Sequence, residues 1–160
     1  MTPNFFTAEG LRRLRQEIKD LEQFIKVDIA EDLNVAAAHG DLRENAEYSA
    51  AKEKQALSMA QLRSLRERLR SPQVVSKKDF PDDIVTLLKW VRIKDLDTDM
   101  VEERIILCDG DTDLDKGIIS YTSPLAAALI GHKKGEVVEA QLPGGVRRLE
   151  ILDFEFYDEA

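Results

Sequence analysis

The feature that most constrains this chain is a heptad pattern of aliphatic residues near its N-terminus. Spacings of 3, 4, 3 and 4 separate Leu11, Leu14, Ile18, Leu21 and Ile25, the pattern of a coiled-coil seam. We expect one helix from Thr7, a suitable N-cap, to about Ala38. After Ile25 the spacing becomes 4 and 4, through Ile29 and Leu33. The seam is therefore expected to drift toward the far end of this helix.

A second helix is expected soon after the first one ends. Glycine suits a left-handed position at a helix C-terminus, so Gly40 marks the end of the first helix. The second helix should run from about Asp41 to about Arg70, where Ser71-Pro72 stops it. Two helices of similar length with a very short connection form an antiparallel hairpin. Some 30 residues reach roughly 45 Å, so we expect the tip to project into solvent.

The residues after Pro72 have a different pattern, with short apolar runs separated by turn signals. Strands are expected at residues 74–75, 85–93, 101–107, 136–142 and 147–156. Ser123-Pro124 should open a short helix over residues 125–130, because proline is favoured at the first helical position. The pattern predicts an α+β fold in two domains: a coiled-coil hairpin at residues 1–76 and a small antiparallel sheet with one helix at residues 77–160.

Charge and composition exclude several classes of protein. Residues 1–76 hold 12 acidic and 12 basic side chains, whereas residues 77–160 hold 19 acidic and 11 basic ones, so the net charge of −8 lies in the second half. Direct binding of duplex DNA by that half is disfavoured. No run of 18 apolar residues is present, which predicts neither secretion nor membrane insertion. The single cysteine, Cys108, indicates the reducing cytoplasm, and with only two histidines a structural zinc site is not expected.

The expected hairpin tip carries two acids, Asp41 and Glu44. On spacing alone, Asp-x-x-Glu favours a capping box for the second helix. The alternative is that the pair presents two hard oxygen ligands for Mg²⁺ at the end of a thin rod, where they would help to hold an ion and position an attacking water. The two roles are compatible, because a cap uses one oxygen while another faces outward.

Longer motifs carry a resemblance to a known family. Residues 40–55 read GDLRENAEYSAAKEKQ, and residues 119–145 read ISYTSPLAAALIGHKKGEVVEAQLPGG. Both runs resemble the two signatures of the Gre family of bacterial transcript cleavage factors, and TAEGLRRLRQEI resembles the usual start of such factors. The few basic residues near the tip favour the GreA type. Two departures stand out: an arginine-proline pair of the family is absent at residues 24–28, and a glycine that usually precedes the first long C-terminal strand is absent near residues 83–85.

The resemblance implies a coiled-coil hairpin that enters the secondary channel of RNA polymerase and an FKBP-like C-terminal domain that docks on the polymerase rim. Asp41 and Glu44 would then help the polymerase's Mg²⁺ and orient water for cleavage of the 3′ end of backtracked nascent RNA. Arg43 and Lys52 would contact this RNA. The remaining site residues fall into two groups, with tip-shaping roles for Asn45, Glu47 and Tyr48 and polymerase docking for Ser123, Pro124, Leu125, Leu129 and Gly131.

On this interpretation the chain is not an enzyme by itself and binds no cofactor tightly alone, since it shares Mg²⁺ with the polymerase active site. Two alternatives remain open. One is an inhibitor of the same architecture that blocks the secondary channel without stimulating cleavage. The other is a prolyl isomerase, for which an FKBP-like fold alone is weak evidence.

Overall fold

A computed structural model describes residues 4–40 and 45–158. Its helical part consists of α1 (Ala8–Gln23), a π-helical segment (Phe24–Ile29), α2 (Ala30–Ala37) and α3 (Ala46–Arg68). Its remaining main elements are β1 (Phe5–Phe6), β2 (Gln73–Val74), β3 (Lys89–Asp95), β4 (Val101–Leu107), β5 (Ile118–Ser120), α4 (Pro124–Leu129), β6 (Val137–Leu142) and β7 (Gly145–Phe156). Contacts divide the chain into two compact units, Met1–Asn4 with Leu11–Pro72 and Phe5–Gly10 with Gln73–Ala160.

The first helical arm begins as the sequence predicts. Thr7 is the N-cap of α1, because its Oγ1 accepts a hydrogen bond from the Gly10 amide at 2.9 Å. The expected drift of the seam does not occur. Ile29 and Ala36 are buried as Leu14 and Ile18 are, although Ile29 and Ala36 lie one residue later than a strict heptad would place them.

The π-helical segment explains how this arm keeps one buried face. A π-helix closes i→i+5 hydrogen bonds and so takes one more residue into a turn than an α-helix does. The segment at Phe24–Ile29 lies where the heptad spacing changes. The extra residue is therefore absorbed in the backbone, and Ile29 returns to the side that faces α3.

The second arm, α3, begins later than expected. It starts at Ala46 with Asn45 as its N-cap, not at Asp41. Ion pairs between the arms show an antiparallel arrangement, since Arg66 lies 2.8 Å from Glu22 and Lys54 lies 3.7 Å from Asp32. These contacts confirm the predicted hairpin.

The second unit contains a five-stranded sheet in the order β5-β4-β3-β7-β6. Three of its strand pairs are antiparallel, as expected, but β4 and β5 pair in parallel, with Ile105 opposite Ile118. Two short 3₁₀ turns and Gly117, which has a φ of 73°, bring the chain back to Ile105 in the second half of β4. The sheet is therefore mixed.

The segment before β3 corrects one strand boundary. A strand was expected over residues 85–93, but β3 begins at Lys89. Val85 donates to the His132 carbonyl at 2.9 Å and accepts from the Gly131 amide at 2.8 Å, while Leu88 has a φ of 71°. The apolar run is buried as a strand would be, but its hydrogen bonds are those of an irregular connection.

The core of this unit lies between one face of the sheet and α4. Ala126 and Leu129 of α4 are fully buried against inward residues of the strands, among them Val91, Ile93 and Ile151. The α+β fold class is confirmed: a helical hairpin precedes a curled mixed sheet with a short helix. Within the part of the chain that the structure describes, no helix is both long and apolar enough to span a membrane.

Candidate functional site

The distal end of the hairpin is bounded by the end of α2 and the start of α3. α2 ends at Ala37, and the chain turns through His39 and Gly40. Gly40 has a φ of 121°, a conformation that glycine adopts without the steric cost that a side chain brings. The expectation of a glycine in this conformation after the first helix is confirmed.

Asn45 connects the two helix ends. Its Oδ1 accepts a hydrogen bond from the Tyr48 amide at 3.1 Å, which caps the N-terminus of α3. Its Nδ2 donates to the Ala36 carbonyl, 2.5 Å away, near the C-terminus of α2. The sequence predicted a tip-shaping role for Asn45 but not this pair of contacts. The preference of helices for asparagine at the N-cap was the signal that could have found the first of them.

The other described tip residues lie on the first turns of α3. Glu47 is exposed, and its Oε2 lies 4.0 Å from His39 Nε2. Tyr48 is half-buried, and the exposed Lys52 places its Nζ 5.8 Å from the centroid of the Tyr48 ring. Lys52 thus remains accessible to solvent, with its charge one turn along the helix from the tyrosine ring.

A groove between α2 and α3 lies next to this end of the hairpin. It has a volume of about 430 Å³ and is lined by Glu31, Asp32, Val35, Ala36, Glu47, Ala50, Ala51 and Lys54. Lys54 forms the cross-hairpin pair with Asp32 and also lies 5.0 Å from the centroid of the Phe24 ring. Because these contacts are exposed, each contributes little to stability, but together they join α3 to both parts of the first arm.

Three predicted site residues, Asp41, Arg43 and Glu44, lie outside the described residues. The N-cap of α3 is Asn45, so the capping box considered for Asp41 and Glu44 is not what starts this helix. Among the residues that are described, no group of three or more His, Cys, Asp or Glu side chains is placed to hold a metal ion.

The predicted docking residues lie in α4 and directly beside its two ends. Ser123 is the N-cap of this helix, with Oγ 3.3 Å from the Ala126 amide, and Pro124 occupies the first turn. Leu125 is half-buried and Gly131 is exposed with a φ of 90°. Leu129 is 0% exposed. The side chain of Leu129 therefore belongs to the core, and its docking role stays a prediction.

The sheet unit holds a buried charge that the sequence did not suggest. Lys89 is 0% exposed, its Nζ donates to the carbonyls of Pro81 and Ile84, and it lies 4.7 Å from the centroid of the Phe156 ring. Burial lowers the pKa of Lys89, against the opposing charges of two nearby aspartates. The alternation along β3 was the available signal, since Lys89 shares its face with Val91 and Ile93.

Comparison with known proteins identifies the class to which this arrangement belongs. The model described as "Transcription elongation factor, N-terminal" matches residues 4–74, and "Transcription elongation factor, GreA/GreB, C-term" matches residues 80–156. These matches cover the hairpin and the sheet unit in turn, and they define a transcription elongation factor. The chain belongs to the GreA/GreB family, within which it is of the GreA type. The resemblance found in the sequence is confirmed.

Two relatives named Transcription elongation factor GreA agree with this assignment. Over 151 residues the chain is 36% identical to Transcription elongation factor GreA of Chloroherpeton thalassium, covering 94% of this chain and 96% of that protein. It is 37% identical over 153 residues to the factor of the same name from Wolinella succinogenes, covering 96% of this chain and 94% of that protein. A solved structure, GreA factor homolog 1 (Gfh1) of Thermus thermophilus, is 21% identical with a TM-score of 0.44, covering 96% of this chain and 99% of that one.

Proposed function

We propose that this elongation factor binds RNA polymerase, inserts its hairpin into the secondary channel and stimulates the polymerase to cleave the 3′ end of backtracked RNA. Cleavage of this kind returns a new 3′ end to the active centre and so rescues arrested elongation complexes. The factor supplies part of a catalytic site and is not an enzyme alone. Its partners would be RNA polymerase and, within the elongation complex, the nascent RNA.

The observation that carries the proposal is the cap of α3 on Asn45. Because Asn45 caps α3, neither Asp41 nor Glu44 is needed for that task, and in the sequence both acids lie between the end of α2 and this cap. The arms are antiparallel and narrow near the connection between α2 and α3, where alanines occupy positions 36, 37, 38, 46, 50 and 51. At 1.5 Å per residue, α3 with its 23 residues is about 34 Å long. A slender helical arm of this length suits insertion into a channel.

The carboxylates of Asp41 and Glu44 suit an Mg²⁺ ion that is shared with the polymerase better than one that this chain holds alone. Mg²⁺ prefers six oxygen ligands and is usually held by one or two carboxylates together with waters and substrate phosphates. Asp41 and Glu44 provide two carboxylates, and the remaining ligands must come from the polymerase and the RNA. The ion would lower the pKa of a bound water and balance charge at the phosphodiester. The chain's own part is to bring these carboxylates to the site and to orient the water, while Arg43 and Lys52 contact the displaced RNA.

The sheet unit would provide the affinity for RNA polymerase. Four predicted docking residues lie at the two ends of α4: Ser123, Pro124, Leu125 and Gly131. Their backbone is fixed by the Ser123 cap and by the hydrogen bond from the Gly131 amide to the Val85 carbonyl. We propose that these residues contact the polymerase. Separating a docking unit from a reactive tip predicts that tip variants lose cleavage while keeping their affinity for the polymerase.

The test uses arrested elongation complexes with Mg²⁺ and the full-length factor. Wild-type protein is expected to release short 3′ RNA fragments, and the double variant Asp41→Ala/Glu44→Ala should lose this activity without losing affinity for the polymerase. The matched control is Asp28→Ala/Glu53→Ala, which removes two exposed acids away from the tip. Full cleavage by the tip variant would refute the role assigned to these acids. Slower RNA synthesis without any shortened RNA would instead identify a secondary-channel inhibitor.

A further inference from the structure

One side chain, that of Asn45, caps both helices that meet at the tip. Its Oδ1 accepts from the Tyr48 amide at the start of α3, at 3.1 Å, and its Nδ2 donates to the Ala36 carbonyl near the end of α2, at 2.5 Å. The first amides and the last carbonyls of a helix have no partner inside the helix. Asn45 therefore bonds to one terminal backbone group of each helix at the same time.

Asparagine has separate acceptor and donor atoms for the two tasks. A serine or threonine hydroxyl can accept and donate, but both bonds must be made by the same oxygen, and aspartate has no donor at neutral pH. The orientation of the Asn45 amide is set by its partners, because a flipped amide would place a donor against the Tyr48 N–H and an acceptor against the Ala36 carbonyl.

The neighbouring side chains allow this close approach of the two arms. Ala36 and Ala51 are both buried, and neither has atoms beyond Cβ to separate the helices. The Ala36 carbonyl also accepts from the His39 amide at 3.2 Å. The carbonyl that Asn45 holds is thus part of the turn that leaves α2. The contact ties the first residues of the connection to its last residue.

We propose that Asn45 is a positioning residue for cleavage, because it ties the end of α2 to the start of α3, and Asp41 and Glu44 lie between these two points in the sequence. This inference rests on the proposed function. It assigns to Asn45 no contact with the ion or the RNA. Its contribution is geometric, and geometric contributions are large in catalysis, since a displacement of about 1 Å can lower a rate by roughly a hundredfold.

The variant that isolates the second contact is Asn45→Ser. Serine keeps an N-cap oxygen for α3 but lacks the second polar atom with which Asn45 donates to the Ala36 carbonyl. The matched control is Asn34→Ser, which makes the same replacement at an exposed residue of α2, two positions from Ala36. Neither variant changes net charge near the acids, so a change in Mg²⁺ dependence cannot come from an added or lost carboxylate.

Cleavage is measured at saturating factor over a range of Mg²⁺ concentrations, with polymerase affinity and helical circular dichroism as companion readouts. Asn45→Ser is expected to lower the cleavage rate at limiting Mg²⁺ by about tenfold and to raise the Mg²⁺ concentration for half-maximal rate. Affinity and helicity should stay as in wild type, and Asn34→Ser should behave as wild type in every readout.

Two results would overturn the inference while leaving the proposed function intact. The first is equal Mg²⁺ dependence for Asn45→Ser and Asn34→Ser when wild-type factor does cleave. The second is a loss of helicity and polymerase affinity in step with cleavage, which would make Asn45 merely structural. If wild-type factor does not cleave, the proposed function fails and the positioning role falls with it. The dual cap is still checked by NMR, because the Nδ2 protons of Asn45 should exchange more slowly than those of Asn34.

Discussion

Arg147 Nε lies 2.9 Å from Asp95 Oδ2, and this contact joins β7 to the end of β3. The other carboxylate oxygen, Oδ1, accepts from the amides of Asp97 and Thr98 at 2.9 and 3.2 Å. Asp95 is 5% exposed, so an unpaired charge there would be costly. The side-chain bond from Arg147, followed by the amide of Asp97, holds the pKa of Asp95 below its usual value. Asp95 therefore links strand pairing to the turn before β4.

Acid titration should reveal this link. A carboxylate whose pKa is lower in the folded chain stabilises the fold above its unfolded pKa of about 3.9 and loses that effect as the pH falls through the folded value. Asp95→Asn should therefore lower the Tm clearly at pH 7, and the difference from wild type should shrink as the pH falls below about 4. Asp97→Asn, an exposed change in the same turn, should give a small and flat difference. A Tm difference for Asp95→Asn that stays constant down to the lowest pH would contradict this assignment.

The sequence predicted those parts of the fold in which local pattern and tertiary structure agree. The range expected for β4 is the observed one, Val101–Leu107, since its alternation and its flanking turns give the same answer. Ser123 and Pro124 start α4 as predicted, because capping and the first-turn proline depend on nearby residues alone. Helix and strand types were predictable wherever the signal was local.

The sequence did not predict features that arise from contacts between distant residues. Parallel pairing of β5 with β4 depends on how the connection after Cys108 folds back, and residue 85 has a strand's apolar pattern although its partners are His132 and Gly131. At the site, the family motif named Asn45, but its bond to Ala36 requires the two arms to be in register. Such pairings are decided by packing, which a one-dimensional pattern does not contain.

Leu88 allows a test of backbone strain. Its φ of 71° is left-handed, and its backbone is held there by bonds from its amide to the Ile106 carbonyl and to its carbonyl from the Tyr157 amide. This conformation costs a residue with a Cβ roughly 1–2 kcal/mol. Leu88→Gly should therefore have a free energy of unfolding about 1 kcal/mol higher than Leu88→Ala. Both should be less stable than wild type, because the leucine side chain is buried.

The control for this prediction is the neighbouring residue. Leu87 is equally buried and has no positive φ, so Leu87→Gly should be less stable than Leu87→Ala by about 0.5–1 kcal/mol. Urea denaturation of the four variants measures both differences. If the glycine variant is less stable than the alanine variant at residue 88 as well as at residue 87, the backbone of Leu88 is not strained.

The alkylation rate of Cys108 should measure how readily the sheet unit unfolds. The thiol is buried, and burial raises its pKa to about 12, with a further contribution from the charge of Asp111. Since the thiolate is the reactive form, alkylation of the native protein at pH 8 should be slow and limited by unfolding. The alkylation rate should rise with urea in parallel with loss of native circular dichroism. Rapid modification of fully native protein would contradict the buried environment of Cys108.

The π-helical segment of the first arm predicts which deletion the hairpin tolerates. From Leu11 to Ile25 the seam spacing is 3, 4, 3 and 4, and Ile29, Leu33 and Ala36 then follow one position late. Deleting the exposed Asp28 would move these three residues one position earlier, and the spacing from Leu11 would continue as 3, 4, 3, 4, 3, 4 and 3. The extra residue of the wide turn would be gone, so a continuous α-helix should form with the same buried face. We expect unchanged or higher helicity and Tm.

Deletion of the exposed Arg15 is the opposite case, because the seam around it is already regular. One residue corresponds to about 100° around an α-helix, so this deletion turns Leu11 and Leu14, which are both buried, out of line with the rest of the seam. Exposing two leucines should lower the free energy of unfolding by about 3 kcal/mol or more. Thermal unfolding followed by circular dichroism compares the two deletions. If removing Asp28 destabilises the hairpin as much as removing Arg15 does, the wide turn is not an inserted residue in a heptad. If the Asp28 deletion is tolerated, the seam has one register from base to tip.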